Sequence, residues 1–410
     1  MKFDLVFEGG GAKGTAFVGA LWEFFQRGHV PGRLLGTSAG AITATLLAAG
    51  YTVPEMTEAL AEKDNGKSVF TDFLGRPSHF DDGLFINGDL NRILAKFDLP
   101  FIPSGVESKL RGDLLHSLAN ESPGSNLFSL VELGGWYTAD SFLSWLERKL
   151  NEGQFKGRQR NFGGMNLRQF AAATDSELSL VASDITRHTM LILNQRTAPD
   201  LPVKWAVRMS MSIPLLWQDV IWESEWGKYA GIDFSADSIV DGGVLSNFPI
   251  SLFLSDDKVI TDVMGDNSAD DVIGMLLDEQ LAVPGIPDTA PPTWEGIDIG
   301  TLKLARRIGG LVDTLMSGHD KTLIDAFEDK VVRLPVKGIG TTEFNMSDER
   351  RELLIEAGQA VMKFYLDKLE PSAKNAQKPA SVEAPPAPSV AAQANKHAAQ
   401  LFYSNLLLVK

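Results

Sequence analysis

Leu34-Leu35-Gly36-Thr37-Ser38-Ala39-Gly40 sets two leucines before a run of small residues, and small and apolar residues continue to Ala49 before Gly50. A buried strand ending near Leu35, a tight turn, and a buried helix stopped by glycine explain this order. The 21 residues from Leu34 to Pro54 carry no formal charge, enough to span a bilayer, but their glycines, threonines and serine make them too polar and broken for a membrane helix. Upstream, residues 3–7 are dense in Phe, Leu and Val, like a buried parallel strand, and glycines 9–11 end it. Residues 14–27 then place Phe17, Ala20, Leu21, Phe24 and Phe25 on one helical side, with Gly28 as the stop. This strand–helix–strand–helix opening predicts an α/β fold, a three-layer sandwich with a mainly parallel central sheet between helices.

The 410 residues carry a net charge of -15 and no cysteine. Such acidity opposes nucleic acid and broad docking on anionic membranes, leaving room for brief contact with a membrane surface through a local apolar patch. Disulfides, thiolate metal sites and a cysteine nucleophile are excluded. The first residues, with Asp4 and Glu8, do not form a signal-peptide core, which sets the expectation of a cytoplasmic protein.

Glu8-Gly9-Gly10-Gly11-Ala12-Lys13-Gly14 lies between the first strand and its helix. Bare amides at a helix N-terminus form an anion site made of backbone. Gly9, Gly11 and Gly14 also satisfy G-x-G-x-x-G, the dinucleotide fingerprint, but Arg33 to Ser38 holds no carboxylate where that reading needs one. A P-loop fails because Gly14 follows Lys13. Gly36-Thr37-Ser38-Ala39-Gly40 is G-x-S-x-G between strand and helix, the setting of a nucleophile elbow, against the plainer reading of a packing turn capped by Ser38. A serine hydroxyl needs a base. Of six histidines only His319 follows the later acidic motif at a plausible place, and an elbow after the second strand does not suit a Ser-His-Asp order. Ser238-Ile239-Val240-Asp241-Gly242-Gly243 offers instead an aspartate leaving a buried strand; alone it would read as a common Asp-Gly turn.

Taken together, residues 9–14, 36–40 and 241–243 resemble the patatin-like phospholipase family, whose glycine-rich loop, G-x-S-x-G elbow and D-G-[GA] motif come in this order. Residues 206–214, Asn247-Phe248-Pro249 and the 345–366 helix extend the likeness over roughly residues 1–370. Lys13 stands where many members carry Arg, and Glu8 where some carry Asp. The resemblance implies a Ser-Asp dyad without histidine: Ser38 as nucleophile, Asp241 as general base, and the amides of Gly10, Gly11 and Ala12 as the oxyanion hole. Gly9, Lys13, Gly14, Gly36, Gly40, Gly242 and Gly243 would support these motifs. It implies a lipid or phospholipid substrate and needs neither cofactor nor metal. Two other functions compete: a lipid-binding module that is silent or activated by a partner, and a dinucleotide-binding enzyme.

The rest of the chain sets expectations of organisation. Residues 65–165 are irregular, with short helical pieces at 88–97 and 140–150; an insertion forming a lid or cap is the sharper of two readings. The fragments beginning at Gly83 and Gly135 look like two similar helix entries. Strands are expected at 178–184, 188–194, 272–277 and 331–336, and helices at 203–212, 301–317 and 347–369. The last should begin at an N-cap Ser347 and bury Leu353, Ala357, Ala360, Val361 and Phe364. Residues 371–396 read as a disordered Pro/Ala-rich linker and 397–410 as a short apolar segment.

Overall fold

The computed structural model describes residues 1–96, 104–121, 124–289, 327–369, 390 and 392–397, with the side chains of 104–108 left aside. The helix expected at 301–317, His319, and most of 371–410 lie outside the described residues.

Strand β1 (Lys2–Phe7) pairs in parallel with β2 (Val30–Thr37) through the crossover helix α1 (Thr15–Gln26). Helix α2 (Ala39–Ala48) leaves β2 at once, and α3 (Val53–Ala61) follows behind a Thr52/Glu55 capping box. Strand β3 (Leu178–Asp184) lies parallel to β2, and β4 (Thr189–Leu193) returns antiparallel to β3. A short β5 (Val220–Ile221) pairs with β6 (Ser238–Asp241). Strands β7 (Asp271–Ala282) and β8 (Val331–Lys337) extend the sheet in parallel beyond β1. Most pairings are parallel, as the βαβ opening requires.

β1 alternates between two cores: Phe3, Leu5 and Phe7 face one apolar cluster and Val6 the other. The first cluster is covered by α1, α2, α3 and the long helix ending the described domain; the second by the segments Ser251–Leu254 and Lys258–Met264. This is the expected three-layer α/β arrangement.

Register explains how the sheet builds a site. β4 occupies one edge of β3 over Leu180 to Asp184. β2 and β6 therefore share the other edge: β2 ends with Thr37 opposite Val181, and β6, running the opposite way, ends with Asp241 opposite Ala182. Two strands meet C-terminus to C-terminus at adjacent rungs, about 3.3 Å apart along β3.

Several expectations need correction. Residues 82–87 are helical whereas Gly135–Tyr137 is a strand paired with Leu215–Trp217, so the two fragments are not equivalent helix entries. The helix expected at 203–212 is α5 (Val203–Ser210), after helix α4 (Asp140–Asn151). Helix α6 (Asp348–Leu369) does begin at Ser347, whose hydroxyl accepts the Arg350 amide at 3.3 Å. Its buried stripe is Leu354, Ala357, Gly358, Met362 and Leu366, while Phe364 is 61% exposed. The stripe is rotated because Gly358 abuts the Ala16 carbonyl of α1, so the two backbones approach where neither side chain intervenes. Finally, residues 392–397 are helical, with Ala394 buried and the Asn395 carbonyl oxygen accepting the amides of Asp256 and Asp257 at 3.1 and 3.3 Å. A structureless linker therefore does not reach 396.

Within 65–165, the helices at 82–87, 89–94, 104–120 and 124–133 gather around a small separate core of Phe85, Leu115, Ala119 and Phe128.

Candidate active site

Ser38 sits between β2 and α2 at φ 53°, ψ -120°, a region that strains a residue with a side chain. Crowding explains its small neighbours: a Cβ on Gly40 would stand 2.3 Å from the Phe7 carbonyl oxygen. The Ser38 amide donates to the Ser210 hydroxyl at 3.1 Å, so the last residue of α5 holds the turn.

Asp241 is fully buried. Its Oδ1 accepts the Gly243 amide at 2.8 Å, and its own amide donates to the Ser212 carbonyl at 2.8 Å. Burial pushes its carboxyl up to about 7, while the Gly243 amide and the Ser38 hydroxyl pull the other way. The hydroxyl is thus near enough to act on the carboxyl, yet among the described residues Oδ2 has no hydrogen bond of ordinary geometry. The pair stands side by side with the bond between them not closed.

The glycine loop abuts this pair. Gly11 adopts φ +57°, and a Cβ there would lie 2.1 Å from the Thr341 carbonyl oxygen, so the position demands glycine. That carbonyl accepts the Ala12 amide at 2.9 Å, and this corrects the expected set of three free donors. The amides of Gly10 and Gly11 have no partner among the described residues, and neither does that of Ala39, the first of α2. Lys13 is buried and bound to Glu279 and, at 2.9 Å, to the Thr341 hydroxyl, so its charge ties the loop to the residue 341 turn.

Residue roles that the sequence did not reveal appear here. Glu8 accepts the Leu277 amide at 2.6 Å on one oxygen and the Asn247 side-chain amide at 3.3 Å on the other. Asn247 also donates to the Gly9 carbonyl at 3.0 Å and returns its own carbonyl to the Gly9 amide at 3.3 Å. Asn247 thereby joins the glycine loop to the segment carrying Asp241. Arg208, buried and lowered to about 10 by that burial, donates to the Ser212 hydroxyl and to the Gln218 carbonyl at 2.7 Å. It fixes the residue whose carbonyl holds Asp241. The sequence signal was present in Ala206–Pro214 and Asn247-Phe248-Pro249, which carried family likeness without an assigned role.

A cavity opens from Ser38 between the helices. α2 contributes Ala39, Ile42 and Leu46, spanning about 10 Å at 1.5 Å per residue. Met56 and Leu60 of α3, then Phe70, Phe73 and Trp145, wall it further, so the space is predominantly apolar. Among the described residues no histidine lines it. Among the described residues no group of three or more His, Cys, Asp or Glu is placed to hold a metal ion. Nor is any helix there long and apolar enough to cross a membrane.

The uncharacterized protein YqhO of Bacillus subtilis (strain 168) is 28% identical over 373 residues, covering 89% of this chain and 98% of that one. The uncharacterized protein R571 of Acanthamoeba polyphaga mimivirus is 23% identical over 378 residues, covering 89% and 94%. Among solved structures, VipD from Legionella pneumophila superposes with a TM-score of 0.43 at 18% identity, over 89% of this chain and 67% of that one. ExoU, in its complex with SpcU from Pseudomonas aeruginosa, gives 0.36 at 16% identity, over 89% and 51%. The family described as patatin-like phospholipase matches residues 5–254, which include the glycine loop, Ser38 and Asp241. On that match, over more than half of its length, the chain belongs to the patatin-like phospholipase family.

Proposed function

We propose that this protein is a serine acyl hydrolase, acting on carboxylic esters of fatty acids in lipids in the manner of a phospholipase A. The observation that carries the reading is the head-on meeting of β2 and β6 on one edge of β3, which brings Ser38 beside Asp241. Ionised Asp241 takes the Ser38 proton, and the Ser38 oxygen attacks the acyl carbonyl. The amides of Gly10 and Gly11 receive the developing oxyanion, each worth about 3–4 kcal/mol if well aimed. The carboxyl then returns the proton to the departing alcohol. Water, deprotonated by the same carboxylate, releases the fatty acid. The acyl chain occupies the apolar cavity along α2.

Mass spectrometry of fatty acids released from mixed phospholipid micelles tests this. Ser38→Ala and Asp241→Asn should each lower release by at least about a thousandfold while the protein stays folded. Unchanged release in either variant would remove the dyad.

A further inference from the structure

Among the described residues, two charged side chains line the otherwise mostly apolar cavity, Glu343 and Arg351. Glu343 is spoken for: its carboxylate accepts both Arg350 nitrogens, Nε at 2.7 Å and Nη2 at 3.1 Å, and the Gly340 amide at 2.9 Å. Arg351 is not. Its side chain is only 11% exposed, and among the described residues it makes one hydrogen bond, from Nη2 to Asp348 Oδ1 at 2.8 Å. Asp348 is half exposed and also takes the Lys63 ammonium at 2.6 Å. A guanidinium has five N–H donors, so most of those on Arg351 remain open beside the cavity. Lys63 pairs with Asp348 and Arg350 with Glu343, so Arg351 adds a further positive charge beside the cavity in a chain of net charge -15. Both lining residues lie beyond the family-matched residues 5–254, so this corner belongs to the chain's own later segment.

We propose that Arg351 is a specificity residue that binds the phosphate of a phospholipid whose acyl ester lies at Ser38. A planar guanidinium with unused donors in a poorly solvated wall binds a phosphodiester oxygen pair well, and lysine reproduces the charge without the fork. The inference rests on the hydrolase reading and adds the substrate group that this wall selects. A neutral ester leaves Arg351 unused, so discrimination between substrates is the readout.

The test compares the full chain with Arg351→Gln and Arg351→Lys on three substrates: phosphatidylglycerol, diacylglycerol with the same acyl chains in the same neutral detergent micelles, and p-nitrophenyl butyrate. Arg351→Gln should lower kcat/KM on phosphatidylglycerol by about 10- to 100-fold, mainly through KM. The two neutral esters should change by less than about twofold, and Arg351→Lys should fall between. Inorganic phosphate that competes with phosphatidylglycerol in the wild type but not in Arg351→Gln would show that phosphate alone suffices. Failure to compete would place the requirement on the lipid-borne group. Equal losses on all three substrates would overturn the proposal in favour of a purely structural role at the start of α6, and no change on any would overturn it outright. A wild type that cleaves none of the three defeats the hydrolase reading itself, and this proposal with it.

Discussion

Asp241 is a carboxyl buried in protein, and desolvation has raised it to about 7. Activity that needs its ionised form should rise with pH through about 7, on the base limb of kcat/KM. The same shift acts on stability. Because the folded carboxyl titrates above the unfolded one, its contribution is fully present below the unfolded value and is lost as pH rises through about 7. Asp241→Asn, which cannot ionise, should therefore melt higher than the wild type at pH 8, on the order of a few degrees, with the gap closing toward pH 4. A gap independent of pH would mean that the carboxyl is not shifted. Asn247 gives a second prediction at this scale. Asn247→Ala removes the bonds to Glu8 and the Gly9 carbonyl, so kcat should fall about 10- to 100-fold with little change in KM as the Gly10 and Gly11 amides lose their aim. Steady-state kinetics on a soluble ester separates the two. Gly9–Gly14 and Gly36–Gly40 were legible because crowding and turn geometry demand small residues in series. The roles of Ser210 and Asn247 were not, since their bonds reach across 172 and 238 positions and leave no periodic trace.

The elements were read from their apolar density and periodicity, which worked for deeply buried elements near the site. β3 was bounded correctly at 178–184, and α1 was placed with its buried aromatic side. α6 shows the limit: apolar residues lie on more than one side, and Gly358, which carries no hydrophobic signal, chooses the contact. A Cβ there would lie 2.2 Å from the Ala16 oxygen. Gly358→Leu should thus destabilise the fold by about 1–3 kcal/mol or more, and Gly358→Ala by less, measured by denaturant unfolding. Equal stability of all three proteins would show that α1 and α6 do not touch at this point. The meeting of β2 and β6 could not be read at all, because register along a shared edge is a tertiary fact, although both strands and their terminal residues were visible in sequence.

Across the molecule, the matched family segment ends at 254, yet β7 pairs directly with β1, and Glu279, Thr341 and Phe344 reach the glycine loop or the cavity. A chain ending at 254 would expose one edge of β1 and a wall of the site, and should be recovered only as aggregate. A chain ending at 369 keeps the described sheet and cavity and loses, among the described contacts, those of the 390–397 segment, such as those of Asn395 with Ser255, Asp256 and Asp257. It should hydrolyse esters within about twofold of the full chain and melt slightly lower, by about 1 kcal/mol or less per lost hydrogen bond. Scanning calorimetry and an ester assay on the two truncations decide both points. The most direct measurement of the central claim is the mass of the peptide modified when the intact protein reacts with a fluorophosphonate. The account predicts a single adduct on Ser38, formed much more slowly in Asp241→Asn and absent in Ser38→Ala. An adduct on another residue, or equal labelling of all three proteins, would contradict it.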